Sequence, residues 1–161
     1  MPFPEPGDLI PSFSAAATQG RNFTEQSLQG KITVLYFYPK DDTPGCTTEG
    51  QDFRDHQADF EAQGAQIIGV SRDSLTSHEK FCTKYALPFP LIADTEGTLC
   101  RMFNVLKEKN MYGRKVLGVE RSTFLIGPDG RVVRAWRKVK VEGHVMEVLE
   151  AVKALRQEGT V

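Results

Sequence analysis

Tyr36-Phe-Tyr-Pro-Lys-Asp-Asp-Thr-Pro-Gly-Cys-Thr-Thr-Glu49 is the segment around which the predicted fold is built. It continues an apolar run, residues 32–38, whose β-branched and aromatic residues predict an interior strand of a covered sheet. Pro39 ends that strand, because it has no N–H to give to a ladder. Pro44 suits the first position of a helix. The stretch therefore predicts a strand, a turn and a helix that begins around Cys46.

The predicted position of Cys46 gives its sulfur a chemical role. Unpaired backbone N–H groups and the positive end of the helix dipole favour an anion at a helix start, so they favour the thiolate over the thiol. A thiolate attacks electrophiles, which makes Cys46 the candidate nucleophile. The alternative is inert packing, since free cysteine is usually a buried small hydrophobe. Thr43 can cap this helix, and its hydroxyl can also orient a substrate beside the sulfur.

The composition is that of an ordinary globular protein. A length of 161 residues predicts one domain over residues 1–161, and 40% hydrophobic with 25% charged residues is typical of soluble proteins. Twenty basic against 21 acidic side chains leave a formal charge of −1, which gives no electrostatic case for nucleic acid or an anionic membrane as a partner. No apolar run approaches the roughly 20 residues of a membrane helix. The first seven residues do not resemble a signal peptide.

The cysteine pattern predicts a reducing environment. Cys46, Cys82 and Cys100 are an odd number at wide spacing, whereas a secreted disulfide framework normally has an even and denser set. A zinc site is poorly supported, because no Cys-x-x-Cys or Cys-x-x-His pair is present. We therefore expect a cytoplasmic protein with one or two working thiols.

Strand and helix patterns alternate along the chain before a hairpin and a final helix. Strands are predicted over residues 13–18, 21–24, 32–38, 66–71, 89–93, 121–126 and 131–139, and helices over 45–63, 74–87, 99–105 and 141–156. Residues 107–119 are predicted to form a surface loop. The order alone favours an α/β protein with a mixed sheet.

The three histidines and Cys100 are expected to be surface or packing residues without a chemical role. His56 and His78 are expected to be exposed on helices, and His144 to lie near the start of the last helix. Cys100 is expected to be packed among apolar neighbours. None of the three histidines is placed by a motif as a general base.

The motif Pro39-x-x-x-Thr43-x-x-Cys46 resembles the active-site signature of the peroxiredoxins. The longer run that ends at Glu49 is similar to the peroxiredoxin Q branch, also known as bacterioferritin comigratory protein. Matching segments follow over nearly the whole chain, at residues 7–13, 69–74, 87–94 and 120–126. A lone Thr-x-x-Cys is weak evidence, but this ordered set of motifs is highly specific.

The resemblance implies a thioredoxin-like fold, in which a central mixed β-sheet carries helices on both faces and an N-terminal β-hairpin extension. It implies a thiol peroxidase that reduces hydrogen peroxide and organic hydroperoxides with cysteine alone, without metal, haem or flavin, and that takes electrons from thioredoxin or a similar dithiol protein. Cys46 would be the peroxidatic cysteine, and Arg121 would be the family's arginine beside the sulfur. Glu49 has two interpretations: a solvated first-turn residue, or, by family likeness, the residue that holds Arg121.

The sequence departs from a common peroxiredoxin Q pattern at Gln51, where many members carry the resolving cysteine. A second family arrangement places that cysteine on the helix after the next strand, where Cys82 lies, so the resemblance implies a Cys46–Cys82 disulfide within the chain. A disulfide needs Cα atoms within about 4.4–6.8 Å, so we expect one of the two helices to unfold locally on oxidation. Gly50, with its poor helix propensity, would ease that change. An intrachain disulfide also favours a monomer.

Two other functions stay open. In a one-cysteine peroxidase, an external thiol would resolve Cys46 and Cys82 would only pack. A redox sensor or holdase would use the oxidised, partly unfolded state to bind partners, and it would consume one equivalent of peroxide where an enzyme consumes many. Disulfide reductase activity is disfavoured, because a Cys-x-x-Cys pair is absent.

Overall fold

The computed structural model describes residues 4–158. Its strands are β1 (Ser14–Ala16), β2 (Asn22–Thr24), β3 (Ile32–Phe37), β4 (Ala65–Ser71), β5 (Leu91–Ala93), β6 (Leu106–Met111), β7 (Arg114–Val119), β8 (Ser122–Ile126) and β9 (Val132–Trp136). Its helices are α1 (Pro44–Asp55), α2 (Gln57–Ala62), α3 (Leu75–Tyr85), α4 (Thr98–Met102) and α5 (His144–Glu158), with a 3-10 helix at Glu25–Leu28.

Five of these strands form the central mixed sheet, in the order β5-β4-β3-β8-β9. Strand β3 pairs in parallel with β4 and antiparallel with β8, and it therefore occupies the middle of the sheet. Every residue of β3 is buried, as the apolar run predicted, because both faces of the sheet are covered. The carboxyl end of this strand leads into the turn that precedes α1.

The two faces of the sheet carry separate core clusters. Tyr36 and Tyr38 point into one cluster with apolar residues of α1, α2, α3 and α5. Leu35 and Phe37 point into the other, with residues of α4, the 3-10 helix and β2. Because successive side chains of β3 point to opposite faces of the sheet, this strand contributes residues to both clusters. The predicted α/β architecture is confirmed, including helices on both faces and the N-terminal hairpin formed by β1 and β2.

Two predicted elements differ from the structure. The helix predicted over residues 45–63 is two helices, α1 and α2, separated at His56, whose backbone leaves the helical region (φ −110°, ψ 10°). The loop predicted over residues 107–119 is instead the hairpin of β6 and β7, which pair from Leu106–Val119 to Met111–Arg114. Its two-residue turn places Tyr112 and Gly113 at positive φ, as tight hairpin turns require, and the polar strands gave no apolar alternation to detect. The other elements lie within a few residues of their predicted bounds.

None of the helices between residues 4 and 158 has both the length and the apolar character needed to cross a membrane.

Candidate active site

The site is built on the turn between β3 and α1. Pro39 follows the strand, and Thr43 is the N-cap residue of α1 with extended backbone dihedrals (φ −99°, ψ 156°). The Thr43 hydroxyl donates to the carbonyl of Lys40 at 2.8 Å, so it braces the turn and makes no side-chain cap on the helix. The predicted N-cap position is therefore confirmed, and the predicted capping hydrogen bond is wrong.

Cys46 is the third residue of α1, and only 2% of its surface is exposed. Arg121, which directly precedes β8, directs its guanidinium at the sulfur, with Nη2 3.5 Å from Sγ. The same nitrogen lies 3.0 Å from the position that a Cβ would occupy on Gly45, so the absence of a side chain there admits the arginine. The structure thus brings together two residues that are 75 positions apart, at the positive end of a helix.

Glu49 lies one turn further along α1, and it is fully buried. Its Oε1 accepts a hydrogen bond from Arg121 Nη1 at 2.6 Å, whereas its Oε2 has no partner among residues 4–158. The interpretation of Glu49 as a solvated residue is wrong. A residue four positions before Phe53 lies on the same helix face as that buried ring, so the helical spacing already carried the signal for burial.

Burial has the largest effect on the pKa of Glu49 in this ion pair. It raises the pKa of Glu49 to about 7, although the charge and the hydrogen bond of Arg121 act in the opposite direction. Burial also opposes the charge on Arg121, but Glu49 and Cys46 outweigh it and raise the pKa of the guanidinium. The desolvation of a buried carboxylate can exceed the gain from its partner. Arg121 therefore stays cationic beside the sulfur, and Glu49 gains or loses its proton near neutrality.

Cys82 lies on α3, as the helical pattern predicted, and its side chain is half-buried. Burial raises the pKa of its thiol to about 11, with a smaller opposing contribution from a hydrogen bond to Thr18. A cavity of about 470 Å³ adjoins it, lined by Thr18, Gln19, Gly20, Glu79, Thr83 and Leu87. All three cysteines are free thiols, and Cys100 is fully buried as predicted, with its pKa raised by burial.

His78 is fully buried, so the prediction that it is exposed is wrong. Its Nδ1 lies 2.7 Å from the carboxylate of Asp41, and its Nε2 lies 2.9 Å from the carbonyl of Ile92. The Asp41 carboxylate also accepts from the hydroxyls of Tyr38 at 2.6 Å and Ser77 at 2.8 Å. Both ring nitrogens of His78 therefore lie within hydrogen-bond distance of oxygen atoms. The result is a buried contact between His78 and Asp41 that the sequence did not indicate.

This contact joins the active-site loop, residues 39–43, to the helix that carries Cys82. Asp42, the next residue of the loop, also connects it to α3. Its carboxylate accepts hydrogen bonds from Lys84 Nζ at 2.8 Å and from the Tyr85 hydroxyl at 2.6 Å. Lys84 and Tyr85 both lie in the last turn of α3. The loop before Cys46 is therefore bound to α3 near both ends of that helix.

A possible metal-binding cluster overlaps the same network. Within residues 4–158, Asp41, Asp73 and His78 are the group whose ligand atoms come within 4.8 Å of one another. The Asp73 carboxylate is already occupied by the backbone N–H of Asp41 and by the hydroxyl of Ser71, and His78 by Asp41. These hydrogen bonds explain why the three side chains lie together, because they hold the active-site loop in place.

Comparison with known proteins identifies the family. The model of the AhpC/TSA family matches residues 6–135. Peroxiredoxin Bcp of Xanthomonas campestris pv. campestris is 58% identical over 135 residues, which cover 84% of each chain. Peroxiredoxin Bcp of Bacillus subtilis is 46% identical over 153 residues, which cover 95% of this chain and 98% of that protein.

Solved structures give the same result. Peroxiredoxin Q of Xanthomonas campestris superposes with a TM-score of 0.86 at 54% identity, over 89% of this chain and 91% of that one. A mutant of PrxQ from Xylella fastidiosa superposes with a TM-score of 0.89 at 45% identity, over 96% and 98% of the two chains. A structure of the Xanthomonas campestris bacterioferritin comigratory protein (TM-score 0.86, 53% identity, 89% and 92% coverage) concerns that protein's alkyl peroxide reduction activity.

These likenesses confirm the predicted thioredoxin-like fold. In the structure of this chain, a buried cysteine, an arginine and a helix start converge after a Pro-x-x-x-Thr-x-x-Cys turn. The chain belongs to the AhpC/TSA family, within its peroxiredoxin Q (Bcp) branch, and it is a thiol-dependent peroxidase.

Proposed function

We propose that this peroxidase reduces hydrogen peroxide and organic hydroperoxides with Cys46 as the attacking thiolate. The observation that carries the proposal is the guanidinium of Arg121, 3.5 Å from the Cys46 sulfur at the start of a helix. That position supplies positive charge and backbone N–H groups where a peroxide oxygen would receive electrons. The alkyl peroxide activity of the Xanthomonas campestris relative supports organic hydroperoxides as substrates.

In the first step, the Cys46 thiolate attacks the nearer oxygen of the peroxide, an S–O bond forms and the O–O bond breaks. The departing oxygen takes a proton and leaves as water or an alcohol, and Cys46 becomes a sulfenic acid. Arg121 stabilises the charge that develops on the oxygens, and Glu49 holds the guanidinium in place. Thr43 braces the turn and its hydroxyl oxygen can accept a hydrogen bond from the substrate, while Pro39 ends the strand before that turn.

In the second step, the Cys82 thiol attacks the sulfur of the Cys46 sulfenic acid, a disulfide forms and water leaves. The two cysteines lie on different helices, and the geometry of a disulfide demands Cα atoms within about 7 Å. We propose that the start of α1 or the end of α3 opens to allow this approach. The cavity beside Cys82 then gives a thioredoxin-like dithiol protein access to the disulfide.

We also propose that the chain acts as a monomer and as one domain over residues 1–161, in a reducing cytoplasm. A disulfide within one chain needs no second subunit. Both core clusters pack against one sheet, which supports a single cooperative unit. Three free thiols suit a reducing compartment.

The test is to add one equivalent of hydrogen peroxide, alkylate the remaining thiols, and determine the intact mass and the non-reduced peptide map. A loss of two hydrogens with a Cys46–Cys82 cross-linked peptide supports the proposed cycle. A Cys46 that carries oxygen while Cys82 is alkylated would show that an external thiol resolves the sulfenic acid. An unmodified Cys46 would remove its role as nucleophile.

The matched control is Cys100→Ser, because Cys100 is also a buried thiol but is absent from the proposed cycle. This variant should give the same cross-linked peptide as the wild type. Turnover with a dithiol donor separates an enzyme, which consumes many equivalents of peroxide, from a sensor, which consumes one.

A further inference from the structure

The hydroxyl of Tyr36 is a buried polar group that the first step does not use. The side chain is 1% exposed, and its oxygen has no hydrogen-bond partner among residues 4–158. Buried polar groups are nearly always hydrogen-bonded, so a phenol without a partner requires an explanation. Tyr38, two residues along the same strand, shows the ordinary arrangement, since its hydroxyl donates to Asp41 at 2.6 Å.

The ring of Tyr36 is held rigidly. It stacks on Phe53 with centroids 4.6 Å apart and meets the edge of Phe89 at 5.9 Å. Its backbone pairs with Gly69 on one side and Thr123 on the other, in the middle of the sheet. A Cβ on Gly69 would lie 3.0 Å from Cζ of the ring, so that glycine is what lets the phenol lie flat here. These contacts therefore hold the hydroxyl in one position while neighbouring helices move.

The hydroxyl lies where the two cysteine-bearing helices meet. It is 3.8 Å from the position of a Cβ on Gly50, one turn after Cys46 in α1. The methyl groups of Leu87 lie 3.4 Å from the same position, and Leu87 donates its backbone N–H to the carbonyl of Cys82. Leu87 and Cys82 also line one cavity. Tyr36 thus lies between the turn that follows one thiol and the helix end that carries the other.

The electrostatic surroundings agree with this placement. Burial raises the pKa of Tyr36 well above its usual value of 10, and the neighbouring carboxylate of Glu49 acts in the same direction. The phenol therefore keeps its proton at neutral pH and is available as a donor. Both thiols of the proposed cycle are close enough to influence it electrostatically.

We propose that Tyr36 is a catalytic residue of the second step, relaying a proton from the Cys82 thiol to the hydroxyl group that leaves Cys46. This inference rests on the proposed function. As the Cys82 sulfur attacks, its proton passes to the Tyr36 oxygen, and the Tyr36 proton passes to the oxygen bound to Cys46. The S–S bond forms, the S–O bond breaks, and that oxygen departs as water. Tyr36 ends the step unchanged, and no other reactant is needed.

The relay answers two requirements of this step. The Cys82 thiol must lose a proton to become a good nucleophile, and burial holds that proton tightly. Hydroxide is a poor leaving group unless it is protonated as it departs. A single hydroxyl beside the turn that follows Cys46 and the segment that follows Cys82 meets both needs. Glu49 is the other group with a free oxygen nearby, but its carboxylate is engaged by Arg121.

The test is Tyr36→Phe, followed in rapid-mixing experiments with one equivalent of peroxide. Trapping with dimedone measures sulfenic acid, and intact mass after alkylation measures the disulfide. The first step should keep its rate, while disulfide formation slows at least about tenfold, because general acid–base catalysis commonly contributes about 100-fold or more. Slower resolution should also increase sulfinic acid at Cys46 when peroxide is in excess.

The stability of the reduced variant gives an independent readout. Removing a hydroxyl that has no partner should leave the melting temperature of Tyr36→Phe unchanged or higher. Tyr38→Phe is the matched control, because it deletes a hydroxyl that does donate, and its melting temperature should fall. A lowered melting temperature for reduced Tyr36→Phe would show that the hydroxyl is already bonded in the reduced enzyme, and it would overturn the inference.

The other outcomes separate this inference from the function on which it rests. If the wild type forms no Cys46–Cys82 disulfide, the proposed cycle itself fails. If the wild type forms it and Tyr36→Phe forms it at the same rate, only the relay is wrong. A slower first step with a normal second step would place the hydroxyl with Glu49 and Arg121, and it too would overturn the relay. In the wild type, disulfide formation should be slower in D₂O than in H₂O, and equal rates would exclude a proton in transit.

Discussion

Replacing Glu49 by Gln should remove the pH dependence that this side chain gives to the stability of the reduced protein. Glu49 is fully buried, and burial raises its pKa from 4.5 to about 7 despite the ion pair with Arg121. In the unfolded chain the carboxyl loses its proton near pH 4.5, whereas in the folded protein it keeps the proton up to about pH 7. Between these values the folded state binds more protons, so the free energy of unfolding falls as pH rises.

The magnitude follows from the two pKa values. Each pKa unit corresponds to about 1.4 kcal/mol, so this carboxyl should remove about 3 kcal/mol of stability between pH 4.5 and 7. Its contribution is fully present below pH 4.5 and is lost as pH rises through 7. Gln cannot ionise, and its oxygen can still accept from Arg121. The stability of Glu49→Gln relative to wild type should therefore rise by about 3 kcal/mol over that range.

The assay is urea unfolding of the reduced proteins at pH 4.5, 6 and 8, plotted as the difference between variant and wild type. Glu150→Gln is the matched control, since Glu150 pairs with Lys153 at 3.5 Å on the exposed face of α5. Its difference curve should change by less than about 0.5 kcal/mol, as expected for an exposed pair. A flat difference curve for Glu49→Gln would contradict this prediction, because it would mean that Arg121 keeps Glu49 charged throughout.

Three further predictions concern stability. Burial lowers the pKa of His144 from 6.5 to about 4, so stability should fall by up to about 3 kcal/mol as pH drops from 6.5 to 4; urea unfolding of His144→Gln should lack this loss, and an identical acid dependence would contradict the assignment. Gly69→Ala should cost about 1–3 kcal/mol, because its Cβ would lie 2.6 Å from a methyl carbon of Leu91; an unchanged urea midpoint would show that the strands adjust freely. Asp41→Asn should cost about 1–3 kcal/mol, because it weakens the buried hydrogen bonds of the Asp41 carboxylate to Tyr38, Ser77 and His78; in a double-mutant cycle with His78→Asn, additive effects would argue against direct coupling.

The sequence predicted the parts of the site that depend on local physics. An apolar run, a proline and a helix start place Cys46 at the end of β3, and each of these signals lies within a few residues of the cysteine. The same local reasoning predicted α3 and therefore the helical position of Cys82. Arg121 required the family resemblance, because nothing in its own neighbourhood distinguishes it from other arginines.

The parts that were missed depend on contacts between distant residues. His78 and Asp41 are 37 positions apart, and a contact between them leaves no periodic trace in either segment. Each face of the β6–β7 hairpin mixes charged with apolar residues, so its pairing follows from backbone geometry at Tyr112 and Gly113 and not from alternation. Glu49 is different, since it lies four positions before Phe53 on the same helix face, and this local signal for burial was missed because carboxylates are usually solvated.

The two attachments of the active-site loop to α3 have a consequence for the order of events during turnover. Asp41 holds the loop to the first turns of α3 and Asp42 holds it to the last, while the loop itself leads directly into α1. Neither cysteine-bearing helix can open without weakening contacts that stabilise the other. We therefore expect the opening of either helix during the proposed cycle to loosen the other helix as well. Such coupling should shorten the time for which a sulfenic acid is exposed to a second peroxide, and it should give the reductant one well-defined oxidised form to recognise.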